Sequence, residues 1–203
     1  MQNSVKLGDI DFNNSEKLIL IAGPCVLESY EHAKLMIDRL LEITQKVNIK
    51  FIYKTSFDKA NRTSINADRG LGIDSAIKIF DKIKSEYDLK ILTDVHSPSD
   101  CEKIKNHVDI IQIPAFLCRQ TDLLIAAANT GKIINVKKGQ FLAPQDMLNV
   151  ANKIIESGNK QLLLTERGAT FGYNNLVSDM RSLEIMKQEI LYPVIFDATH
   201  SVQ

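Results

Sequence analysis

Residues 17–29 are KLILIAGPCVLES, and this stretch shows the unit from which the fold is built. Its first seven residues form an apolar run of strand length, and Gly23-Pro24 ends that run. Ser29 is a residue type that caps helices, and an amphipathic stretch of helical spacing follows it. The pattern predicts a strand, a loop and a helix in succession.

The same alternation recurs along the chain at intervals of roughly 20–40 residues. Most of the runs are apolar on both faces, as parallel strands covered on both sides must be. Ser97-Pro98-Ser99-Asp100 predicts a capping box, and Gly131 and Gly158 fall where two helices should end. Seven parallel strands are predicted, at 17–23, 49–55, 90–94, 110–114, 133–137, 161–165 and 193–197.

Parallel βα repeats leave two architectures, a closed (β/α)₈ barrel and a doubly wound open sheet. Barrels typically have about 250 residues, whereas this chain of 203 residues ends directly after its seventh predicted strand. We therefore expect either an open sheet or a barrel that lacks its eighth strand and last helices. No linker divides the chain, which favours one domain over residues 1–203.

A short segment precedes the first βα unit. Residues 5–14 alternate in polarity around Gly8-Asp9, which predicts a small β-hairpin that caps one end of the sheet. A disordered tail is the alternative interpretation.

Composition excludes several classes of protein. The chain is 44% hydrophobic and 25% charged, which is ordinary for a globular domain and excludes disordered and fibrous proteins. Twenty-five basic and 25 acidic residues give a formal net charge of zero, which argues against nucleic acid or a membrane as partner. The chain begins without a signal-peptide pattern, its apolar runs are too short to span a bilayer, and it has three cysteines. These features predict a cytoplasmic location.

Basic residues accumulate just after the predicted strands, where ligands bind in parallel βα proteins. Such a cluster is costly without anions between its members, and Arg and Lys are the residues that bind phosphate and carboxylate. The sequence thus predicts a small substrate with several negative charges. The alternative is that some of these residues are solvated surface charges, above all Lys138. The cluster consists of Lys54, Lys59, Arg62, Lys137, Lys138 and Arg167.

Cysteine and histidine suggest a second kind of site. Cys25 and His200 follow the first and seventh predicted strands, and a thiolate with an imidazole would suit Zn²⁺ or Fe²⁺. The alternatives are a buried Cys25 that packs as a small hydrophobic residue and a structural role for His96. Cys101 and Cys118 are interpreted as structural.

Residues 53–64, YKTSFDKANRTS, are more specific than any of these patterns. They closely resemble the KxSFDKANRSS signature of the 3-deoxy-D-manno-octulosonate 8-phosphate (KDO-8-phosphate) synthase family. Six further stretches resemble that family in the same order, so the resemblance covers nearly the whole chain. They are AGPCVLES (22–29), TDVH (93–96), QIPAFLCRQTD (112–122), NVKKGQF (135–141), TERG (165–168) with FGYNNL (171–176), and FDATHS (196–201).

The resemblance implies a (β/α)₈ barrel, a homotetramer, that condenses phosphoenolpyruvate with D-arabinose 5-phosphate and water and releases phosphate. This reaction belongs to KDO and lipopolysaccharide biosynthesis. The implied substrate-binding residues fall into two groups. Phosphoenolpyruvate would be bound by Lys54, Lys59, Lys137 and Arg167 with Gln112, Ala115 and Phe116, and the sugar phosphate by Asn61, Arg62, Thr63 and a neighbouring subunit's Arg119. Ser56 is a further substrate-binding residue.

The resemblance also implies a metal. Cys25 stands where the family's metal-independent class has Asn, which places this chain with the metal-dependent class and makes His200 a second ligand. The family's Glu and Asp ligands lie on or beyond the eighth strand, which this chain does not reach. The expected cofactor is a divalent ion such as Zn²⁺, Fe²⁺ or Mn²⁺.

Four residues are candidates for the chemistry itself. Lys59 and Asn61 are expected near the reacting atoms, and Asp94 and His96 are expected to handle water and protons. Thr63 replaces the family's usual Ser and keeps the hydroxyl.

Other functions remain open at this point. A truncated chain could be catalytically silent and only bind phosphorylated ligands or partner subunits. A DAHP synthase-like enzyme would use erythrose 4-phosphate, against which the KANR run at 59–62 argues. A Schiff-base aldolase would use Lys54 or Lys137.

Overall fold

The structure is a computed structural model that describes residues 3–15 and 17–202. It divides into two compact units, Lys17–Ile111 (the 17–111 unit) and Met1–Glu16 with Gln112–Gln203 (the 112–203 unit). Both consist mainly of strands that alternate with helices. In chain order the elements are β1 (Val5–Leu7), β2 (Ile10–Phe12), β3 (Ile19–Ala22), α1 (Tyr30–Val47), β4 (Lys50–Lys54), α2 (Ile73–Tyr87), β5 (Ile91–Asp94), α3 (Pro98–Ile104), β6 (Ile110–Ile113), α4 (Thr121–Asn129), β7 (Ile133–Lys137), α5 (Met147–Glu156), β8 (Leu162–Glu166), β9 (Ala169–Thr170), β10 (Leu176–Val177), α6 (Arg181–Ile190) and β11 (Val194–Phe196).

The strands of the 17–111 unit are parallel and follow one another in sequence order. β3 pairs with β4, where Ala22 is opposite Tyr53, and β4 pairs with β5, where Lys54 is opposite Leu92. β5 is buried along its whole length, whereas every residue of β3 is half-buried. The carboxyl ends of β4 and β5 therefore lie side by side.

Helix ends in this unit follow the sequence signals. The Ser29 hydroxyl accepts a hydrogen bond from the backbone N–H of His32 at 3.0 Å and caps α1. At α3 the Ser97 side chain accepts from the Asp100 N–H and the Asp100 carboxylate accepts from the Ser97 N–H, which is the predicted capping box.

The strands of the 112–203 unit are also parallel. β7 pairs with β8, where Lys137 is opposite Thr165, and β8 pairs with β11, where Glu166 is opposite Phe196. β7 and β8 are buried along their whole lengths. Their carboxyl ends meet at one edge, which brings the residues that follow each strand close together.

The predicted N-terminal hairpin is present as β1 and β2, and it belongs to the 112–203 unit. Val5, Ile10 and Phe12 are buried. The Asn14 amide donates to the Tyr192 carbonyl at 3.0 Å and accepts from the Val194 N–H at 2.9 Å. These bonds join the segment after β2 to the amino end of β11. The predicted hairpin is confirmed, and its capping of one end of the sheet stays a prediction.

The order of strands and helices is that of a (β/α)₈ barrel through its seventh parallel strand, and it confirms the predicted fold class. All seven predicted strands are present, each with ends within two residues of the prediction. The antiparallel hairpin β9–β10 was not predicted. The single domain over residues 1–203 stays a prediction. Within residues 3–15 and 17–202, none of the helices has both the length and the apolar character that a bilayer span requires.

Candidate active site

In the 17–111 unit, Asp94 and His96 form a buried acid–imidazole pair. Asp94 is the last residue of β5 and is 7% exposed, and its Oδ2 lies 3.3 Å from His96 Nε2. The backbone N–H of His96 donates to the Asp100 carboxylate at 3.0 Å. The capped start of α3 therefore holds His96 against the end of β5.

The surroundings of Asp94 keep its carboxylate charged. Burial acts to raise the pKa of Asp94, but the hydrogen bond from His96 and the charges of Lys54 and Lys59 outweigh it and lower the pKa below its usual range. Two buried atoms of the pair, Asp94 Oδ1 and His96 Nδ1, have no hydrogen-bond partner among the described residues. They can bind a substrate hydroxyl or a water molecule.

Lys59 lies in the loop between β4 and α2, which is folded back on itself. The Lys59 ammonium donates to the Ser56 hydroxyl at 2.7 Å, and its backbone N–H donates to the Arg69 carbonyl at 2.8 Å. Arg69 in turn forms a two-pronged ion pair with Asp58. The loop thus holds Lys59 close enough to Asp94 to lower its pKa.

The residues after Lys59 are more open. Asn61, Arg62 and Thr63 are exposed, and Arg62 Nε donates to the Asp68 carbonyl at 3.1 Å. A sugar phosphate could reach all three without a change in the core of the unit.

Gly23 follows β3 and lets the loop that carries Cys25 lie close against the backbone at the end of β4. Its φ is +155°, and a Cβ at this position would lie 2.0 Å from the Lys54 carbonyl oxygen. Only glycine permits this approach. Cys25 follows and is exposed, so the alternative of a buried structural Cys25 is wrong, whereas Cys101 and Cys118 are buried as expected.

In the 112–203 unit, Asp197 organises the strand ends. Its carboxylate forms an ion pair with the Lys137 ammonium, and His200 Nδ1 lies 2.9 Å and 3.1 Å from its two oxygens. Burial acts to raise the pKa of Asp197, but the His200 and Lys137 interactions lower it below its usual range. Asp197 is therefore ionised and is the counter-ion of Lys137.

Arg167 lies beside this cluster and is 6% exposed. Burial lowers the pKa of its guanidinium, and the negative charges of Asp197 and Glu166 oppose that effect. The negative charge of Asp197 thus acts on two cations, Lys137 and Arg167, at the carboxyl ends of β7, β8 and β11. This arrangement is suited to an anionic ligand.

Gln112 belongs to a buried polar chain inside the same unit. The Thr165 hydroxyl donates to Asn135 Oδ1 at 2.7 Å, and Asn135 Nδ2 donates to Gln112 Oε1 at 3.1 Å. Ala115 and Phe116 form a turn of 3₁₀ helix after β6, and Phe116 is exposed.

Arg119 lies in a groove of about 300 Å³ that Lys153 and Asp146 also line. Its side chain is exposed, and its carbonyl accepts a hydrogen bond from Lys153 at 3.1 Å. This position is compatible with the predicted contact to another subunit.

The sequence predicted Lys138 either as a member of the basic cluster or as a solvated surface charge, and its position in the structure agrees with neither. Lys138 is 1% exposed and its ammonium lies 3.5 Å from Oε1 of Glu166, which is 2% exposed. It is therefore neither a solvated surface charge nor a member of an open basic cluster. Successive residues of a strand point to opposite faces, which separates Lys138 from Lys137.

The predicted metal was tested against the donors that this chain supplies. Among residues 3–15 and 17–202, no three His, Cys, Asp or Glu side chains are grouped so that they could bind a metal ion. Cys25 and His200 would be two ligands, whereas zinc sites use three or four protein ligands. Within the part of the chain that the structure describes, these donors do not form a complete metal site.

Each unit brings together its own predicted residues. The 17–111 unit joins Lys54, Ser56, Lys59, Asp94 and His96, and the 112–203 unit joins Lys137, Arg167 and His200. That the two sets bind the same substrates stays a prediction. The sequence interpretation missed the roles of Asp197 and Glu166. The available signal was that Glu166 directly precedes the predicted Arg167 and that Asp197 ends the seventh predicted strand, three residues before the predicted His200.

The comparisons with known proteins identify the family. The model described as "DAHP synthetase I family" matches residues 2–203. The chain belongs to the DAHP synthetase I family. Proteins named 2-dehydro-3-deoxyphosphooctonate aldolase resemble the chain along its length. The protein of Rickettsia prowazekii is 61% identical over 203 residues, which are 100% of this chain and 74% of the relative.

A relative from another genus shows the same extent of similarity. The 2-dehydro-3-deoxyphosphooctonate aldolase of Brucella anthropi is 59% identical over 201 residues, which are 99% of this chain and 72% of the relative. That enzyme is KDO-8-phosphate synthase under another name, so the resemblance found in the sequence is confirmed. The chain spans about three quarters of the length of these DAHP synthetase I family members.

Proposed function

We propose that this protein catalyses the aldol-type condensation of phosphoenolpyruvate with D-arabinose 5-phosphate and water, which yields 3-deoxy-D-manno-octulosonate 8-phosphate and phosphate. The observation that supports it most is the sequence identity of about 60% to 2-dehydro-3-deoxyphosphooctonate aldolases over the whole chain. The buried cations at the strand ends agree with substrates that carry two phosphates and a carboxylate.

The reaction forms one carbon–carbon bond and releases one phosphate. C3 of phosphoenolpyruvate attacks the aldehyde carbon of the sugar, and water attacks C2, where positive charge develops. The bond between C2 and the phosphate oxygen breaks, and the water oxygen becomes the C2 ketone. The water gives up both of its protons, of which one ends on the former aldehyde oxygen and the other on the released phosphate. Much of the rate then depends on how the two substrates are held relative to each other.

We assign the anionic groups to the cations. Lys137 and Arg167 bind the phosphate of phosphoenolpyruvate, and the resemblance assigns the same substrate to Lys54 and Lys59. The supporting observation in the 112–203 unit is that both cations are buried at the strand ends, where the charge of Asp197 acts on each of them. Asn61, Arg62 and Thr63 bind the sugar phosphate.

We assign the proton transfers to Asp94 and His96. The Asp94 carboxylate stays ionised because of His96, Lys54 and Lys59, so it can orient the imidazole and accept a hydrogen bond from water. The two unpartnered buried atoms of this pair support the assignment, since a reacting hydroxyl or water molecule would satisfy them.

Release of phosphate from the two substrates tests the proposal. We expect phosphate and the eight-carbon product only when both substrates are present. Erythrose 4-phosphate in place of arabinose 5-phosphate tests the DAHP synthase alternative, and borohydride trapping tests a Schiff base. No phosphate release with either sugar would contradict the proposed reaction.

Metal dependence is a separate prediction, because no full ligand set is grouped among the described residues. A chelator arm of the same assay tests it. Loss of phosphate release with the chelator, restored by Zn²⁺, Fe²⁺ or Mn²⁺, would support metal dependence, and the same loss in Cys25→Ala and His200→Ala would support these residues as ligands. We also propose a cytoplasmic homotetramer, which sedimentation of the purified protein tests.

A further inference from the structure

The ion pair of Lys138 and Glu166 is the most deeply buried pair of opposite charges among the described residues. Lys138 is 1% exposed and Glu166 2%, with 3.5 Å between the ammonium and Oε1. A buried ion pair contributes little to stability compared with apolar residues of the same volume, because both charges lose their hydration. Its presence at this position therefore needs another physical reason.

The Lys138 ammonium is held by backbone carbonyls. It donates to the carbonyls of Gly168 at 3.1 Å, Leu142 at 3.3 Å and Gly139 at 3.4 Å. An ammonium group has three donors, and these three carbonyls use all of them. Lys138 thus joins the segment after β7 to the segment after β8.

Glu166 closes the turn after β8. Its Oε1 accepts from the backbone N–H of Gly168 at 2.5 Å, so its carboxylate and the Lys138 ammonium bind the two polar groups of the same glycine. Gly168 has φ +90°, and a Cβ there would lie 3.0 Å from the Leu176 side chain. The other carboxylate oxygen, Oε2, has no hydrogen-bond partner among the described residues.

The residues held by this pair flank the two cations of the site. Lys138 follows Lys137, and Glu166 and Gly168 enclose Arg167. Because neighbouring residues of an extended chain point to opposite faces, the pair joins the two segments on one face. By the same alternation Lys137 and Arg167 lie on the other face, where Lys137 forms its ion pair with Asp197.

We propose that Lys138 and Glu166 are positioning residues that set the spacing of Lys137 and Arg167 for a phosphate-bearing substrate. The inference rests on the proposed function, in which that substrate is phosphoenolpyruvate. Neither Lys138 nor Glu166 touches the ligand. The pair acts through the backbone, by fixing where the two segments that carry the cations emerge.

The test measures binding by titration calorimetry of the full chain with phosphoenolpyruvate, inorganic phosphate and arabinose 5-phosphate. The variants are Glu166→Gln, Lys138→Met and the double variant. We expect the Kd for phosphoenolpyruvate and for phosphate bound at Lys137 and Arg167 to rise about tenfold, which is a loss of about 1.4 kcal/mol of binding free energy, because the two cations no longer meet one phosphate together. The Kd for arabinose 5-phosphate stays unchanged, because none of its expected contacts, Asn61, Arg62, Thr63 and a neighbouring subunit's Arg119, lies in the two segments that Lys138 and Glu166 join.

The double variant separates positioning from stability. Each single variant leaves a buried charge without its partner, whereas the double variant leaves none, so its melting temperature should recover. Its Kd for phosphoenolpyruvate should stay raised. If the affinity recovers together with the melting temperature, the pair is only structural and the proposal is overturned.

A less buried pair of the same kind in the other unit provides the control, with Lys84 31% and Asp109 13% exposed. Lys84 and Asp109 lie 3.2 Å apart, and the Asp109 carboxylate accepts from the backbone N–H of Ile91 at 2.9 Å, as Glu166 does from Gly168. Lys84→Met and Asp109→Asn should lower the melting temperature and leave the Kd for phosphoenolpyruvate unchanged. An equal rise in Kd in these control variants would overturn the proposal.

Product formation by the unaltered chain distinguishes this inference from the proposed function. If the chain binds phosphoenolpyruvate but forms no product, and Glu166→Gln weakens that binding, the function fails and the positioning role stands. If product forms and Glu166→Gln binds as tightly as the unaltered chain, the positioning role fails alone. Absence of binding of both phosphoenolpyruvate and phosphate would overturn both.

Discussion

The Lys137 ammonium and the Asp197 carboxylate form an ion pair at the carboxyl ends of β7 and β11. The same carboxylate lies 2.9 Å from His200 Nδ1. Its negative charge also raises the pKa of Arg167, which burial lowers. An anion that binds Lys137 and Arg167 must therefore compete with Asp197. This competition makes the affinity of the site for anions sensitive to a single carboxylate.

The Asp197→Asn variant tests that competition. We expect its free energy of unfolding in phosphate-free buffer to fall by about 3 kcal/mol, because a largely buried Lys137 loses its counter-ion. Added inorganic phosphate should then raise the melting temperature of the variant more than that of the unaltered protein. Asp179→Asn, which breaks an exposed pair with Arg181, is the control. Equal phosphate shifts in all three proteins would contradict the competition.

Acid should destabilise the protein through Asp94 and Asp197. Both have a lowered pKa in the folded protein, so each stabilises the fold at pH values above the unfolded pKa of about 3.9. That stability is lost as the pH falls from about 4 towards the folded pKa values. Urea unfolding between pH 6 and pH 3, roughly the range in which carboxylates titrate, measures the slope.

The Asp94→Asn variant should show a shallower loss of stability in this series, because one of the two carboxylates is gone. Asp11→Asn, at an exposed position of the N-terminal hairpin, should keep the slope of the unaltered protein. A slope for Asp94→Asn equal to that of Asp11→Asn would contradict the role of the His96, Lys54 and Lys59 interactions.

His96→Ala tests the proton-transfer role in the proposed reaction. We expect kcat to fall by about 10²-fold or more, the usual effect of removing a general acid or base, with little change in KM for either substrate. His107, which pairs with Asp81 at 2.7 Å and is partly exposed, provides the control variant His107→Ala. Unchanged turnover in His96→Ala would remove this residue from the chemistry.

Ser97→Ala tests how the start of α3 supports His96. Loss of the capping box should lower the free energy of unfolding by about 1 kcal/mol. The Asp100 carboxylate holds the backbone N–H groups of His96 and Ser97 at 3.0 Å and 2.9 Å, and the Ser97 hydroxyl holds the Asp100 N–H in turn. Because its loss should loosen the contact to His96, turnover should also fall. Ser85→Ala, on the exposed end of α2, is the comparison. Normal turnover in Ser97→Ala would mean that the cap only stabilises the helix.

Local sequence patterns determined most of the fold. The strand ends were within two residues of the prediction, because a parallel strand covered on both sides must be a short, continuous apolar run. The caps at Ser29 and Ser97 were also predictable, since a capping bond joins residues only three positions apart. The β9–β10 hairpin has strands of two residues each, too short to produce a detectable alternation.

The sequence by itself determined the family, the βα order and most of the charged residues of the site. Only the tertiary structure decided how those charges are paired. Lys137 and Lys138 are adjacent and identical in type, yet one pairs with Asp197, 60 positions away, and the other with Glu166 on the opposite face of the strand ends. Charge pairing depends on distance and burial in three dimensions, because an interaction between ions strengthens as water is removed, and neither quantity is local in the chain.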